Sequence, residues 1–215
     1  MPVRKLVLCV TTLMAALCAA QEAARQQPSI EVPYRGLTYS MMSKGGVTVM
    51  VAPLNRMILE YQTVQVWISN GSKSYVRIAP QSFEVRQQGA PMLAGASDDK
   101  VMDEIQQRAR PKDLLELVEA YETTLFGFAN ERSVGYYQQR KQAARSSMGS
   151  GGKMRATAMA SAIILPTRQL KPGEIMDGTV FFRVDPHGGR IVSIGAHLAN
   201  AVFDFPQVAP EEHIH

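Results

Sequence analysis

Two stretches of alternating side chains, one on either side of a block with helical spacing, constrain this chain more than any other feature in it. Val47, Val49 and Val51 alternate with Thr48 and Met50. Val64, Val66 and Ile68 share one face of the next run, while Thr63, Gln65 and Trp67 share the other. Val76 with Ile78, and Phe83 with Val85, continue the pattern on either side of Pro80. It resumes far along the chain, where Val180, Phe182 and Val184 alternate with Thr179 and Arg183, followed by Val192, Ile194, Ala196 and Leu198. A period of two sends successive side chains to opposite faces, so each run predicts a strand buried on one side. Lys44-Gly45-Gly46 predicts a turn back to 37–42, and Asn70-Gly71 carries the residue pair favoured in two-residue hairpins. Neither block alone has enough apolar faces for two sheets. Both are therefore expected in one antiparallel β-sandwich spanning 37–206, an α+β chain overall that is mainly β.

The intervening block, near 97–150, predicts a helical insertion. Ser97-Asp98-Asp99 offers a cap and acids in a first turn, where the helix dipole favours negative charge. Pro111 suits the first position of a second helix, and Leu114, Leu117, Val118, Tyr121 and Leu125 form one apolar stripe along it. Gly127 is expected to end or bend it. Ser133–Ser147 predicts a third, more polar helix, closed by Gly149-Ser150-Gly151-Gly152 as a linker. Ile163, Ile164 and Leu165 then predict the return of strand structure.

Ahead of this body, Arg4 and Lys5 precede an apolar run from Leu6 to Leu17, with small residues at Ala19 and Ala20. That order predicts a secretory signal peptide over 1–20, a flexible lead-in over 21–36, and a periplasmic or extracellular destination. Leu17 stands where lipoprotein signals carry a small residue, so no lipid anchor is expected at Cys18. Both cysteines, Cys9 and Cys18, lie within this segment. Disulfide scaffolds and thiol chemistry are thereby excluded from the exported chain. Removing Arg4 and Lys5 lowers the 23 basic residues to 21 against 19 acids, so the net charge falls from +4 to +2. So small a charge gives no general support for nucleic-acid binding. No later run is long enough to cross a bilayer as a helix.

The order Val66-Trp67-Ile68-Ser69-Asn70-Gly71-Ser72, an apolar strand, then Pro80 and Phe83 resembles immunoglobulin-like accessory domains of bacterial envelope proteins. Leu165-Pro166, Leu170-Lys171-Pro172-Gly173-Glu174 and Gly178-Thr179-Val180-Phe181-Phe182 are similar to the late strands of such domains. The resemblance covers about half the chain and implies a sandwich fold and an extracytoplasmic setting. It implies no reaction, and the long helical insertion departs from it.

Candidate chemistry is sparse. His213 and His215 with Glu211 and Glu212 lie in a tail, 207–215, expected to be disordered, so no metal site is expected there. No serine sits in a Gly-x-Ser-x-Gly elbow, and no cofactor-binding motif occurs. His197 and Asp204 are candidate neighbours across a hairpin. Acids outnumber bases eight to four over 98–127, and bases outnumber acids six to one over 128–155. That asymmetry fits a solvated helical hairpin, or a basic surface that meets anionic lipid or an acidic envelope polymer. Trp67 and Phe181 fall on the strand face opposite the valines, where large aromatics need a cover: the Leu114–Leu125 stripe, or a partner.

The expectation is a non-enzymatic envelope binding or structural module. Its partner would be another envelope protein or an acidic envelope surface. Its working surface would involve Trp67, Phe181, Arg140, Lys141, Arg145, Lys153 and Arg155, with exposed sheet edges available for strand addition. The alternative is an exported hydrolase or small-molecule binder using His197, Asp204 and Tyr136 or Tyr137 in a pocket between sandwich and helices.

Overall fold

The alternating runs form two antiparallel sheets stacked face to face, and the helices cover the outer side of the larger one. The computed structural model describes residues 29–125, 131–146 and 151–207. The strands are β1 Ile30–Tyr34, β2 Leu37–Lys44, β3 Val47–Ile58, β4 Tyr61–Asn70, β5 Val76–Ile78, β6 Phe83–Gln87, β7 Met92–Ala94, β8 Arg168–Leu170, β9 Ile175–Arg183, β10 Ile191–Leu198 and β11 Ala201–Pro206. The helices are α1 Asp98–Arg108, α2 Pro111–Thr124, α3 Glu131–Ser146 and α4 Gly152–Ser161. A five-stranded sheet has the order β1-β2-β3-β4-β9, a four-stranded sheet the order β11-β10-β6-β7, and β5 pairs with β8. Both sequence blocks contribute to both sheets: β9 pairs with β4, and β10 with β6.

The residues predicted to face inward do so. Val47, Val49, Val51, Val64, Val66, Ile68, Val180 and Phe182 from the first sheet meet Phe83, Val85, Ile194, Ala196, Phe203 and Phe205 from the second. Each of these valines, isoleucines and phenylalanines contributes about 1.5–3 kcal/mol by leaving water. The reverse face of the first sheet carries Leu54, Tyr61 and Phe181. These form a second core with Val101 and Ile105 of α1, Leu114, Leu117, Val118 and Tyr121 of α2, Tyr137 of α3, and Ala156 and Ala160 of α4. The molecule is thus three layers deep, and the five-stranded sheet is buried on both faces where the helices cover it, around Leu54, Tyr61 and Phe181.

Several local expectations are corrected. Residues 30–34 of the expected flexible lead-in form β1, because Val32 and Tyr34 pack beside Tyr39 and Met50. Asn70-Gly71 is not a hairpin turn. The Asn70 side chain is buried and donates to Ser74 O and Leu170 O, while its oxygen accepts from Ser72 N, so the chain leaves the first sheet there. Two-residue turns with positive φ at both positions fall at Gly45-Gly46, as expected, and also at Arg35-Gly36 and Ala199-Asn200. The helical segment runs past the expected end at 150. Gly152 belongs to α4 rather than to a linker, and α4 reaches Ser161. Ile163–Leu165 is not a strand of either sheet. Ile164 makes one isolated parallel bridge to Thr179, and this segment passes so close to β9 that a Cβ on Gly178 would lie 2.6 Å from Leu165 Cα. The expected break at Gly127, the cleavage site, Cys18 and the tail beyond Gln207 lie outside the described residues.

Candidate functional site

The helical layer rests on β9 through a buried polar knot. Asp177 sits on the outward face of β9, where alternation places Ile175, Thr179 and Phe181 as well. It is 1% exposed. Its Oδ2 accepts from Arg140 Nη2 at 2.8 Å and from the Tyr121 hydroxyl of α2. Arg140, on α3, also donates to Asp177 O at 2.9 Å and to Ile164 O at 3.1 Å. One guanidinium fork therefore ties together a helix, a strand and the chain segment leaving α4. One turn away, Glu122 Oε1 accepts from Lys141 Nζ and from the Tyr137 hydroxyl, joining α2 to α3.

This anchoring has a local cause. Side chains at 137, 140, 141 and 144 recur at helical spacing, and Tyr137 and Ala144 are the buried apolar residues on that face among those described. A helix with so thin an apolar stripe needs polar attachment. Burial raises the Asp177 carboxyl above its ordinary range, against the opposing pull of Arg140 and the Tyr121 hydroxyl. Burial likewise raises the Tyr121 and Tyr137 phenols. Burial also works to raise Glu122, but the bonds from Lys141 and Tyr137 outweigh it and hold the carboxyl below its ordinary value. Asp177 Oδ1, Arg140 Nε and Thr179 Oγ1 have no partner among the described residues. Asp177 is enclosed and Arg140 nearly so, with side chains 2% and 14% exposed, and the bonds attach the helices to the sheet.

Of the sequence-predicted surface residues, Phe181 is 1% exposed and lies under the helices, edge-on to Tyr61 with ring centroids 6.1 Å apart. It is covered as the helix stripe predicts and is withdrawn from any interface. Trp67 is half-buried away from that stripe, beside Tyr39 and Met50. Arg140 and Lys141 are held inward by the bonds just described, and Lys153 Nζ donates to Gln107 O at 3.2 Å. Arg145 and Arg155 remain exposed and come together. They line a groove of about 700 Å³ with Leu115 of α2 and Gly152, Ala156 and Met159 of α4. Gly152, Arg155, Ala156 and Met159 recur at i, i+3, i+4 and i+7, so one face of α4 forms the groove wall. Neither arginine pairs with an acid among the described residues. The missed element was α4: its alanine- and methionine-rich sequence carries no polar alternation to mark it.

The alternative catalytic set does not assemble. His197 Nε2 lies 3.0 Å from Glu84 Oε1 on the outer face of the second sheet, and Asp204 accepts instead from the Ser193 hydroxyl. Tyr137 is buried across the molecule in the helix-covered core. A second cleft, about 410 Å³, is lined by Arg56, Arg108, Arg110, Asp113 and Glu116 with Ile58 and Leu117. Its charges are already paired: Arg56 with Glu116, Arg110 with Asp113, and Arg108 with Glu60. Among the described residues no three His, Cys, Asp or Glu side chains gather as metal ligands.

The edges of the five-stranded sheet are guarded. The two-residue turn after β1 makes Tyr34 and Leu37 a hydrogen-bonded pair, so Glu31 and Pro33 turn their main-chain groups outward. Pro33 has no N–H to offer an incoming strand. The outer edge of β9 is occupied: Thr179 N donates to Ile163 O, Leu165 N to Thr179 O, and Ala96 N to Phe181 O. No helix among the described residues is long and apolar enough to cross a membrane. No protein-family model, curated protein or solved structure matches the chain.

Proposed function

We propose that this chain is an exported bacterial envelope protein, an immunoglobulin-like sandwich with a helical insertion, that works by binding an acidic envelope partner rather than by catalysis. The groove between α2, α3 and α4 carries this reading, because two exposed arginines there lie beside apolar side chains and neither forms an ion pair among the described residues. Other charges at the helical layer do pair, as in the Arg183, Glu60, Glu104 and Arg108 cluster. An unmatched pair of guanidiniums in a concavity is where an anion gains most from contact. The signal-like start at 1–20 supports export, and the guarded edges of the first sheet turn attention from strand addition to the helical face.

The test is site-specific photo-crosslinking in intact cells. A photoreactive residue at Leu115, which is 53% exposed in the groove, should form adducts with an envelope component. The same residue at Val202, 55% exposed on β11, should not. The double change Arg145→Glu/Arg155→Glu should abolish the Leu115 adduct. Equal labelling from both positions, or labelling indifferent to the arginines, would refute the groove as the working surface.

A further inference from the structure

We infer that the groove takes a single anionic amphiphile, a molecule with one phosphate or carboxylate head and one alkyl chain, bound as a monomer. This rests on the reading of the groove as the binding surface and names its ligand class. Two features of the lining select that class. Arg145, in the last turn of α3, and Arg155, in the first turn of α4, supply guanidiniums at the rim, where a forked donor suits an anionic head. Leu115, Ala156 and Met159 supply the apolar wall, with Ala156 buried at its base. Met159 adds a flexible, polarisable surface that adapts to an alkyl chain.

The volume and shape decide against the larger acidic partners. About 700 Å³ lies within the range of small-molecule sites, roughly 300–1,000 Å³. A peptide with several carboxylates would need a row of cations. The neighbouring candidates are engaged: Lys141 with Glu122, Arg140 with Asp177, and Lys153 with Gln107 O. Arg145 does sense Glu122, yet that carboxylate oxygen is already taken by Lys141 and Tyr137. Two guanidiniums that form no ion pair among the described residues, beside an apolar wall, match one head and one chain.

Isothermal titration tests this with dodecyl phosphate held below its micelle-forming concentration. The expected result is saturable binding of one molecule per chain, with no heat from inorganic phosphate or from neutral dodecyl maltoside at the same concentration. Arg145→Gln and Arg155→Gln should each weaken binding about tenfold, the scale of one charged hydrogen bond. Lys153→Gln should leave it unchanged, and Leu115→Glu, which sets a like charge in the groove, should abolish it. Thermal melts of all four variants establish that they are folded. Three outcomes overturn the inference. Hexaglutamate that binds in competition with Arg145→Gln/Arg155→Gln loss, where dodecyl phosphate fails, would retain the acidic-partner function and replace the ligand class. Association with phosphatidylglycerol vesicles that ignores the two arginines would mean docking on a membrane surface. Failure of every probe would remove the groove as a site together with the function proposed for it.

Discussion

Removing the Arg140 guanidinium while leaving Asp177 in place should be among the most damaging single changes available to the helical layer. In Arg140→Met the Asp177 carboxylate, 1% exposed, would keep the Tyr121 hydroxyl and lose its only cation among the described residues. Stripping one partner from a buried ion pair costs about 3–5 kcal/mol, a large share of the ~5–15 kcal/mol that holds a domain folded. Arg140 also donates to Ile164 O and Asp177 O, so those carbonyls lose a donor as well. The penalty should depend on pH with a definite sign. Burial already raises Asp177, and without Arg140 the folded state would hold a proton on that carboxyl more tightly than the unfolded chain does. A group whose folded pKa is raised favours folding at low pH and loses that favour as pH rises through the raised value. The variant should therefore recover stability on acidification towards the ordinary carboxylate range, by at most ~1.4 kcal/mol per pH unit. Urea unfolding at pH 8 and pH 5, followed by circular dichroism, measures both terms. The double change Arg140→Met/Asp177→Leu removes the buried charge altogether and should be more stable than Arg140→Met alone. A loss below about 1 kcal/mol at pH 8, or a double variant no better than the single one, would refute the assignment of Arg140 as the anchor of α3.

Two further outcomes test the layers separately. Leu114→Asp should destabilise the whole molecule by at least ~4 kcal/mol, combining a lost core side chain with a buried acid. Leu114 is fully buried against the Phe181 face, whereas Leu117 borders the neighbouring charged cleft; an unchanged melting curve for Leu114→Asp would show that α2 does not cover the sheet. Glu122, held below its ordinary value of 4.5, contributes stability that is present above that pH and is lost as pH falls through its lowered folded value. Wild type and Glu122→Gln should thus differ in denaturant midpoint at neutral pH and converge in strong acid, and a difference that grows on acidification would reverse the assigned sign.

Strands β2 to β6, β9 and β10 and the first three helices were legible in the chain because side-chain period is a local property, whereas β1, β7 and β8 are too short or too irregular to carry that period. Val64, Val66 and Ile68 must share a face whatever surrounds them, and so must Leu114, Leu117, Val118 and Tyr121 on a helix. The same local logic required a cover for Phe181, and α2 supplies it. What depends on distant partners was not legible. Asn70-Gly71 carries the residues of a hairpin turn, yet Leu170, 100 residues away, recruits the Asn70 amide and opens the turn into a loop. Alternation puts position 177 on the outer face of β9, but only the fold brings Arg140 there from 37 residues earlier and turns an apparent surface cation into a buried anchor. The groove is tertiary in the same sense. Arg145 and Arg155 stood out as a basic stretch, but Leu115, Ala156 and Met159 join them only because α4 is a helix whose one face meets α2 and α3. Period and turn chemistry act between neighbours, whereas the burial of a charge and the shape of a concavity are set by chain segments that meet only on folding.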